Sequence, residues 1–315
     1  MARALVLFAA GLAAGCTPVA FAVLNLPARL GDYSHVSDIA YGEGPRRTLD
    51  IYIPEGSAEA RPVVVFFYGG RWSSGSKADY RFVADALTNL GRVVVIPDYR
   101  LYPQVEFPAF VEDGAAAVVW VHAHIGAYGG DSDRLFVMGH SAGAHIAAML
   151  ALDANFLSRA GGCSGWIEGM IGLAGPYDFL PLEDRDLRDI FGPPVRYPLS
   201  QPVNHVRSGQ PPLLLLHGAD DETVGLKNSV SLAVRSREEG ALAELRVYEG
   251  IDHLGILSAL SRPFRQRAPV VRHVDAFIRS MGESDQSACG GGVPQHAGIP
   301  ASVGPALADM GRPAL

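Results

Sequence analysis

A serine between two glycines is the first feature of this sequence that could do chemistry. The segment Gly139-His140-Ser141-Ala142-Gly143 has the form G-x-S-x-G. It follows the apolar run Leu135–Met138 and begins a helix-like segment, which is the strand-turn-helix context of a nucleophile elbow. Glycines at such a turn let the serine hydroxyl project from the edge of a sheet. The pattern predicts Ser141 as a nucleophile, and a glycine-rich turn with a capping serine is the alternative.

A serine hydroxyl needs a base to accept its proton and a carboxylate to orient that base. Two later loops contain such residues, and each follows a predicted strand. The first loop contains Asp220, Asp221 and Glu222, and the second contains His253, which is placed after the last predicted strand. Because the carboxyl ends of parallel strands meet at one edge of a sheet, we expect both loops to lie close to Ser141.

Short apolar runs that alternate with helix-like segments are the elements that must position these residues. The runs have the hydrophobicity of buried parallel strands: Val63–Phe67, Val93–Ile96, Leu135–Met138, Met170–Leu173 and Leu213–Leu216. Segments with apolar residues every three or four positions predict helices: Asp79–Leu90, Phe110–His124, Ala142–Leu152 and Val224–Glu239. This alternation predicts an α/β fold, with a mostly parallel central sheet and helices on both faces.

The same patterns place the predicted domain at residues 38–281. A hairpin over Ile39–Ile53 opens it, and the strand Leu242–Tyr248 and the helix Phe264–Met281 close it. Residues 178–209 interrupt the alternation with five prolines among charged residues. We therefore predict a short insertion there, over the edge of the sheet that holds the active site. Residues 282–315 are rich in Gly, Pro and Ala and predict a disordered tail.

Composition narrows the class of protein. The chain of 315 residues has a formal net charge of -7 and is 48% hydrophobic, which is typical of a globular protein and not of a disordered one. It has no run rich in Lys and Arg, so we expect no nucleic-acid partner. The spacing of the three cysteines, Cys16, Cys163 and Cys289, predicts neither a zinc site nor a disulfide framework.

The first residues resemble an export signal. After Arg3, the sequence from Ala4 to Ala28 contains no charged residue, as in a positive start followed by an apolar stretch. The segment LAAGC that ends at Cys16 resembles the lipobox of bacterial lipoproteins. This implies a signal peptide over residues 1–15, a lipid on Cys16 that anchors the chain to a membrane, and a linker over residues 16–37. An uncleaved signal anchor and an ordinary secreted or periplasmic protein are the alternatives.

Residues 38–281 resemble the α/β-hydrolase fold and are most similar to bacterial carboxylesterases of the hormone-sensitive-lipase and arylformamidase-like group. The resemblance rests on the elbow around Ser141, the acid loop HGADDETV and the final histidine, His253. In that family the acid loop reads H-G-x-x-D-x-x-V, which implies that Asp221 is the acid and leaves Asp220 as the alternative. The resemblance implies that the serine, the acid and the histidine form a catalytic triad that needs no metal or organic cofactor.

The resemblance also implies an oxyanion hole, in which backbone N–H groups stabilise the charge of a tetrahedral intermediate. Ala142 directly follows the nucleophile and is one expected donor. The segment YGGRW after the strand Val63–Phe67 is similar to the family's H-G-G-x-W segment, which implies Gly69 and Gly70 as the other donors. Tyr68 stands where the family has histidine, and we expect its phenol to keep a hydrogen bond that braces the loop.

Three side chains of this loop are candidates for the substrate pocket: Tyr68, Arg71 and Trp72. Trp72 would either wall the pocket or pack in the core. Arg71 would either attract a substrate carboxylate or pair with an acid such as Asp79. The nearby segment Asp98-Tyr99-Arg100 also resembles the family, and we expect its aspartate and arginine to form a structural ion pair.

Together these patterns predict an exported bacterial serine hydrolase that cleaves short- to medium-chain carboxylic esters through an acyl-enzyme. An amide hydrolase of the arylformamidase type is one alternative, because the same triad cleaves formamides. A non-catalytic binding protein on the hydrolase scaffold is the other, with Tyr68 and Arg71 as signs of lost activity. The sequence leaves the oligomeric state open.

Overall fold

A computed structural model describes residues 20–56 and 60–281 of the chain. Within them, one sheet has the strand order β1-β2-β4-β3-β5-β6-β7-β8. The strands β1 to β8 are Tyr33–Ala40, Thr48–Pro54, Arg61–Phe67, Val93–Pro97, Gly130–His140, Ile167–Leu173, Leu213–Gly218 and Ala243–Tyr248. The pairs β1-β2 and β2-β4 are antiparallel and the others are parallel. The predicted α/β-hydrolase architecture, with its mostly parallel sheet, is confirmed.

Helices cover the sheet on both faces. This follows from β4, β6 and β7, whose side chains alternate between the two faces and are buried at every position. In chain order we number them α1 to α8: Arg81–Thr88, Ala109–His124, Ala142–Leu152, Ala154–Arg159, Arg185–Phe191, Lys227–Glu238, His253–Ser258 and Val270–Met281. Three of these, α4, α5 and α7, are too short for a periodic pattern and were not predicted. The closing helix begins at Val270, later than predicted, because a short 3-10 turn and Pro269 precede it.

Part of the predicted linker belongs to the fold. Residues 20–25 are helical, a 3-10 turn covers Pro27–Leu30, and β1 begins at Tyr33, so the folded domain starts before residue 38. Residues 1–15, Cys16 and the tail 282–315 lie outside the described residues. In the part of the chain that the structure describes, each helix is too short or too polar to cross a bilayer.

Residues 178–209, which the sequence predicts as an insertion, lie between β6 and β7. This segment contains α5 and two 3-10 helices, Pro194–Ser200 and Pro202–His205. His145 on α3 anchors it, because its buried Nε2 donates a 2.8 Å hydrogen bond to the carbonyl of Ser200. This bond joins the insertion to the helix that directly follows Ser141, so the insertion is held beside the elbow.

The cysteine spacing gave no indication of one disulfide bond. Cys163, which precedes a short 3-10 turn and β6, is disulfide-bonded. The chain's other cysteines, Cys16 and Cys289, lie outside the described residues. Sequence spacing missed this bond, because cysteines far apart in a chain of this size leave no local pattern.

Candidate active site

The serine of the elbow lies in a strained turn between β5 and α3. Ser141 has φ 54° and ψ -123°, a conformation that costs a residue other than glycine about 1–3 kcal/mol. A Cβ at Gly139 would lie 2.3 Å from the backbone of Gly143, and one at Gly143 would lie 2.0 Å from the carbonyl oxygen of Phe67. The N–H of Ser141 donates to the carbonyl of Leu173 at 2.9 Å. Both glycines of G-x-S-x-G are therefore required by close backbone packing.

The predicted acid and base are in contact. Nδ1 of His253 lies 2.7 Å from Oδ2 of Asp221, and Oδ1 accepts from the N–H groups of Thr223 and Val224 at 2.9 and 2.8 Å. Burial by itself would raise the pKa of Asp221, but hydrogen bonds from His217, His253 and the backbone hold that pKa below its ordinary value. An ionised carboxylate only accepts hydrogen bonds, so Nδ1 carries the proton and Nε2 of His253 is left as the base.

The first two residues of the acid loop hold it in place. Nε2 of His217 donates to the carbonyl of Val224 at 2.8 Å and lies 3.4 Å from Oδ2 of Asp221. A Cβ at Gly218 would lie 2.0 Å from the carbonyl oxygen of Ile251. The histidine thus fixes the carboxylate, and the glycine lets the loop of the predicted base pack against this loop.

Sequence reasoning missed a role for His140, the variable residue that precedes the nucleophile. Its Nε2 donates to the main-chain carbonyl of His253 at 2.9 Å. A Cβ at Gly69 would lie 3.1 Å from Nδ1 of His140 and 3.1 Å from Cβ of Ser141, so His140 contacts the oxyanion loop as well. Burial lowers the pKa of His140 to about 3. A neutral imidazole therefore lies where the segments of the predicted nucleophile, base and oxyanion donors meet, and only its place in the elbow motif could have indicated this.

The three predicted oxyanion donors have free N–H groups. Among residues 20–56 and 60–281, no protein acceptor receives a hydrogen bond from the backbone N–H of Gly69, Gly70 or Ala142. Gly70 has φ 130°, and a Cβ there would lie 2.2 Å from the carbonyl oxygen of Ser74, so the loop requires glycine. Ala142 begins α3, where the helix dipole adds positive potential. Such groups are suited to stabilise an oxyanion.

The Tyr68 side chain braces the oxyanion loop from inside the protein. Its hydroxyl donates to Oδ1 of Asp98 at 2.6 Å and accepts from Arg46 at 2.6 Å. The N–H of Lys77 also donates to Oδ1 of Asp98, and Tyr99 donates to the carbonyl of Tyr68 at 2.7 Å. The bracing hydrogen bond is as expected, but the assignment of Tyr68 to the substrate pocket is wrong, because the side chain is fully buried in this network.

The expected ion pair between Asp98 and Arg100 is also wrong. Arg100 binds Asp113 of α2 through Nε and Nη2, both at 2.8 Å. Asp98 instead accepts the bonds from Tyr68 and Lys77. The pair does not form because the fully buried carboxylate of Asp113 takes the guanidinium of Arg100 in a two-point contact.

Arg71 and Trp72 join the oxyanion loop to the insertion. Nη2 of Arg71 lies 2.8 Å from Oδ2 of Asp184, an exposed ion pair that replaces the expected partner Asp79. The ring of Trp72 is 4% exposed and packs against a cluster of aromatic rings from α2, α3 and the insertion: Phe110, His145, Phe179 and Phe191. The structure shows the packing role for Trp72, and substrate contacts of Arg71 and Trp72 stay predictions.

Known proteins share this fold and part of this sequence. Isoprenylcysteine alpha-carbonyl methylesterase ICME of Arabidopsis thaliana is 33% identical over 250 residues, which are 72% of this chain and 58% of the plant protein. Esterase LipQ of Mycobacterium tuberculosis is 30% identical over 244 residues, which are 70% of this chain and 58% of LipQ. This chain thus spans less than two thirds of either relative.

The solved structure of butyrate-bound esterase 2 from Thermogutta terrifontis is also similar. It has a TM-score of 0.66 at 25% identity, and the match covers 82% of this chain and 98% of that structure. Residues 49–235, more than half of the chain, match the BD-FAE family. With the elbow, the acid loop and the final histidine in place, the chain belongs to the BD-FAE family.

Proposed function

We propose that this chain is a serine hydrolase of carboxylic esters. The observation that carries the proposal is the 2.7 Å contact between Nδ1 of His253 and the buried carboxylate of Asp221, on loops at the same sheet edge as the strained Ser141. Such a pair prepares an imidazole to take a proton from a serine. The relatives named above are esterases, which favours an ester over a formamide.

The reaction follows from the positions of these groups. Oγ of Ser141 attacks the ester carbonyl carbon while Nε2 of His253 takes the hydroxyl proton. The free N–H groups at Gly69, Gly70 and Ala142 stabilise the oxyanion. The bond to the alcohol oxygen then breaks, and the imidazolium gives its proton to the leaving alcohol. Water then attacks the acyl carbon while the same imidazole takes its proton, and the imidazolium returns that proton to Oγ of Ser141 as the acyl bond breaks and the acid leaves.

A short- to medium-chain acyl group suits the surroundings of this site. The aromatic cluster around Trp72 is closely packed beside the oxyanion loop, and Arg71 ties that loop to the insertion. We therefore propose that the acyl pocket beside this loop is shallow. The Thermogutta esterase has been captured with butyrate and with propionate, which supports the same assignment.

We also propose that a lipid on Cys16 anchors the mature chain to a bacterial membrane. The LAAGC segment after an uncharged stretch supports this proposal. Intact mass spectrometry of the membrane-extracted protein tests it. A diacylated Cys16 as the first residue is the expected result, and an uncleaved chain or a bare N-terminus would contradict it.

A fluorophosphonate probe tests the catalytic proposal directly. Wild type should be labelled, and Ser141→Ala should not be. Ser141→Ala and His253→Ala should each lower kcat by about four orders of magnitude, with no further loss in the double variant. Unlabelled wild type would favour a binding protein. Preference for N-formylkynurenine over a series of p-nitrophenyl acyl esters would favour the arylformamidase alternative.

A further inference from the structure

Residues 20–30 form the N-terminal segment of the described structure. Three of its large apolar side chains face solvent, those of Val23, Leu26 and Leu30, and we call them the apolar row. Their relative exposures are 52%, 66% and 82%. Their spacing places them on one side of the helical segment, whereas Asn25 and Ala28 on its other side are buried. Grouped apolar side chains on a surface indicate contact with a partner.

Hydrogen bonds to the domain fix the direction of the apolar row. Nδ2 of Asn25 donates to the carbonyl of Asp79 at 2.8 Å, and its Oδ1 accepts from the N–H of Phe82 at 3.0 Å. The ring of Phe21 packs on Tyr80, with 5.0 Å between centroids. Because these contacts hold one side of the segment against the protein, the row stays directed outward.

The sequence around the apolar row points to a bilayer as its occupant. No charged residue occurs from Ala4 to Ala28, and the exposed Arg29 beside the row is the first cation after this stretch. A lipid on Cys16 would be four residues from residue 20, and four extended residues span at most about 14 Å. The anchor would therefore bring the row to the membrane surface, where a cation beside apolar side chains suits anionic headgroups.

A single side chain, that of Tyr80, lies between the N-terminal segment and the oxyanion loop. Tyr80, which contacts Phe21, places its hydroxyl 3.5 Å from the carbonyl oxygen of Gly69. We propose that the apolar row inserts into the bilayer interface and holds the site against the membrane. The site would then hydrolyse esters carried by membrane-borne amphiphiles. This inference rests on the proposed esterase activity and the proposed lipid anchor.

Two butyrate esters with different alcohols test it. Full-length protein in vesicles of phosphatidylcholine and phosphatidylglycerol is assayed on soluble p-nitrophenyl butyrate and on vesicle-embedded hexadecyl butyrate. The row variant Val23→Ser/Leu26→Ser/Leu30→Ser should keep its kcat/KM on the soluble ester and lose about tenfold on the embedded one. A matched control, Val230→Ser/Val234→Ser/Leu242→Ser, removes side chains that are 40%, 46% and 70% exposed elsewhere and should change neither rate.

Equal rates of wild type and the row variant on hexadecyl butyrate would overturn the inference. Wild type that hydrolyses only the soluble ester would also overturn it, while leaving the esterase proposal intact. Failure of the proposed activity looks different, because wild type would then hydrolyse neither ester. Failure of the anchor is recognised by the mass of the mature N-terminus. In that case too, an unchanged rate of the row variant on hexadecyl butyrate would show that the row does not contact lipid.

Discussion

Nε2 of His140 donates a 2.9 Å hydrogen bond to the main-chain carbonyl of His253. The bond joins the turn that carries the nucleophile to the loop that carries the base, and the two ring centroids lie 4.7 Å apart. Burial lowers the pKa of His140 to about 3, so this imidazole stays neutral at neutral pH. We infer that His140 is a positioning residue, which acts through the main chain of the catalytic base.

His140→Ala should lower kcat about ten- to a hundredfold with little change in KM, because a small displacement of the base disturbs proton transfer more than binding. His140→Gln should recover part of the loss, since its amide N–H can donate to the same carbonyl. Steady-state kinetics on p-nitrophenyl butyrate measure both effects. Wild-type kcat in His140→Ala, or equal losses in both variants, would contradict a positioning role.

Asp221→Asn should lower kcat by about four orders of magnitude, because an amide no longer fixes the Nδ1–H tautomer of His253. Asp220→Asn makes the same change of charge one position away, at an exposed side chain, and should stay within about twofold of wild type. Kinetics of the two variants on one ester compare the two candidate acids. A large loss in Asp220→Asn alone would move the acid to that residue.

The parts of the site that follow strand ends were predictable, whereas the contacts that link them were not. A buried strand followed by a glycine-flanked serine specifies where Ser141 lies, because the sheet fixes the turn. The bond from His140 to His253 spans 113 positions of sequence, and no local pattern encodes it. The predicted pair of Asp98 and Arg100 failed for a similar reason, since Arg100 binds Asp113 on a later helix and closeness in sequence did not indicate that partner.

Tyr68→Phe tests the brace beneath the oxyanion loop. The change removes a hydroxyl that binds both Asp98 and Arg46. It leaves the buried carboxylate of Asp98 short of a donor, which costs about 1–3 kcal/mol of unfolding free energy. Because the loop carries Gly69 and Gly70, we expect kcat to fall more than KM rises. Urea unfolding and kinetics measure the two effects, with Tyr128→Phe, near the opposite end of β5, as control. Unchanged stability would show that the network is dispensable.

Acid should destabilise the protein before its carboxylates protonate. Burial lowers the pKa of His140 to about 3 and that of His145 to about 4, from 6.5. Because the unfolded chain binds protons at these sites below pH 6.5 and the folded chain does not, their contribution is complete above pH 6.5 and is lost as pH falls towards 4. Urea unfolding should show that the free energy of unfolding falls by about 2 kcal/mol per histidine between about pH 7 and 5.

The variants His140→Gln and His145→Gln keep an N–H donor and do not titrate, so each should flatten this pH dependence. The quantity to compare is the slope of the free energy of unfolding against pH, and not its value at neutral pH. A slope in the double variant equal to that of wild type would show that neither histidine is responsible.

The disulfide at Cys163 provides an independent test of the proposed anchor. Cys16 and Cys289 are the other cysteines of the sequence, and a lipid on Cys16 would occupy its sulfur as a thioether. The anchor therefore predicts a bond between Cys163 and Cys289, which an oxidising compartment outside the cytoplasm would preserve. Non-reducing peptide mapping should recover that linked pair, and Cys289→Ser should leave Cys163 reactive to maleimide. A linked peptide of Cys16 and Cys163 would contradict lipidation, because one sulfur cannot carry both bonds.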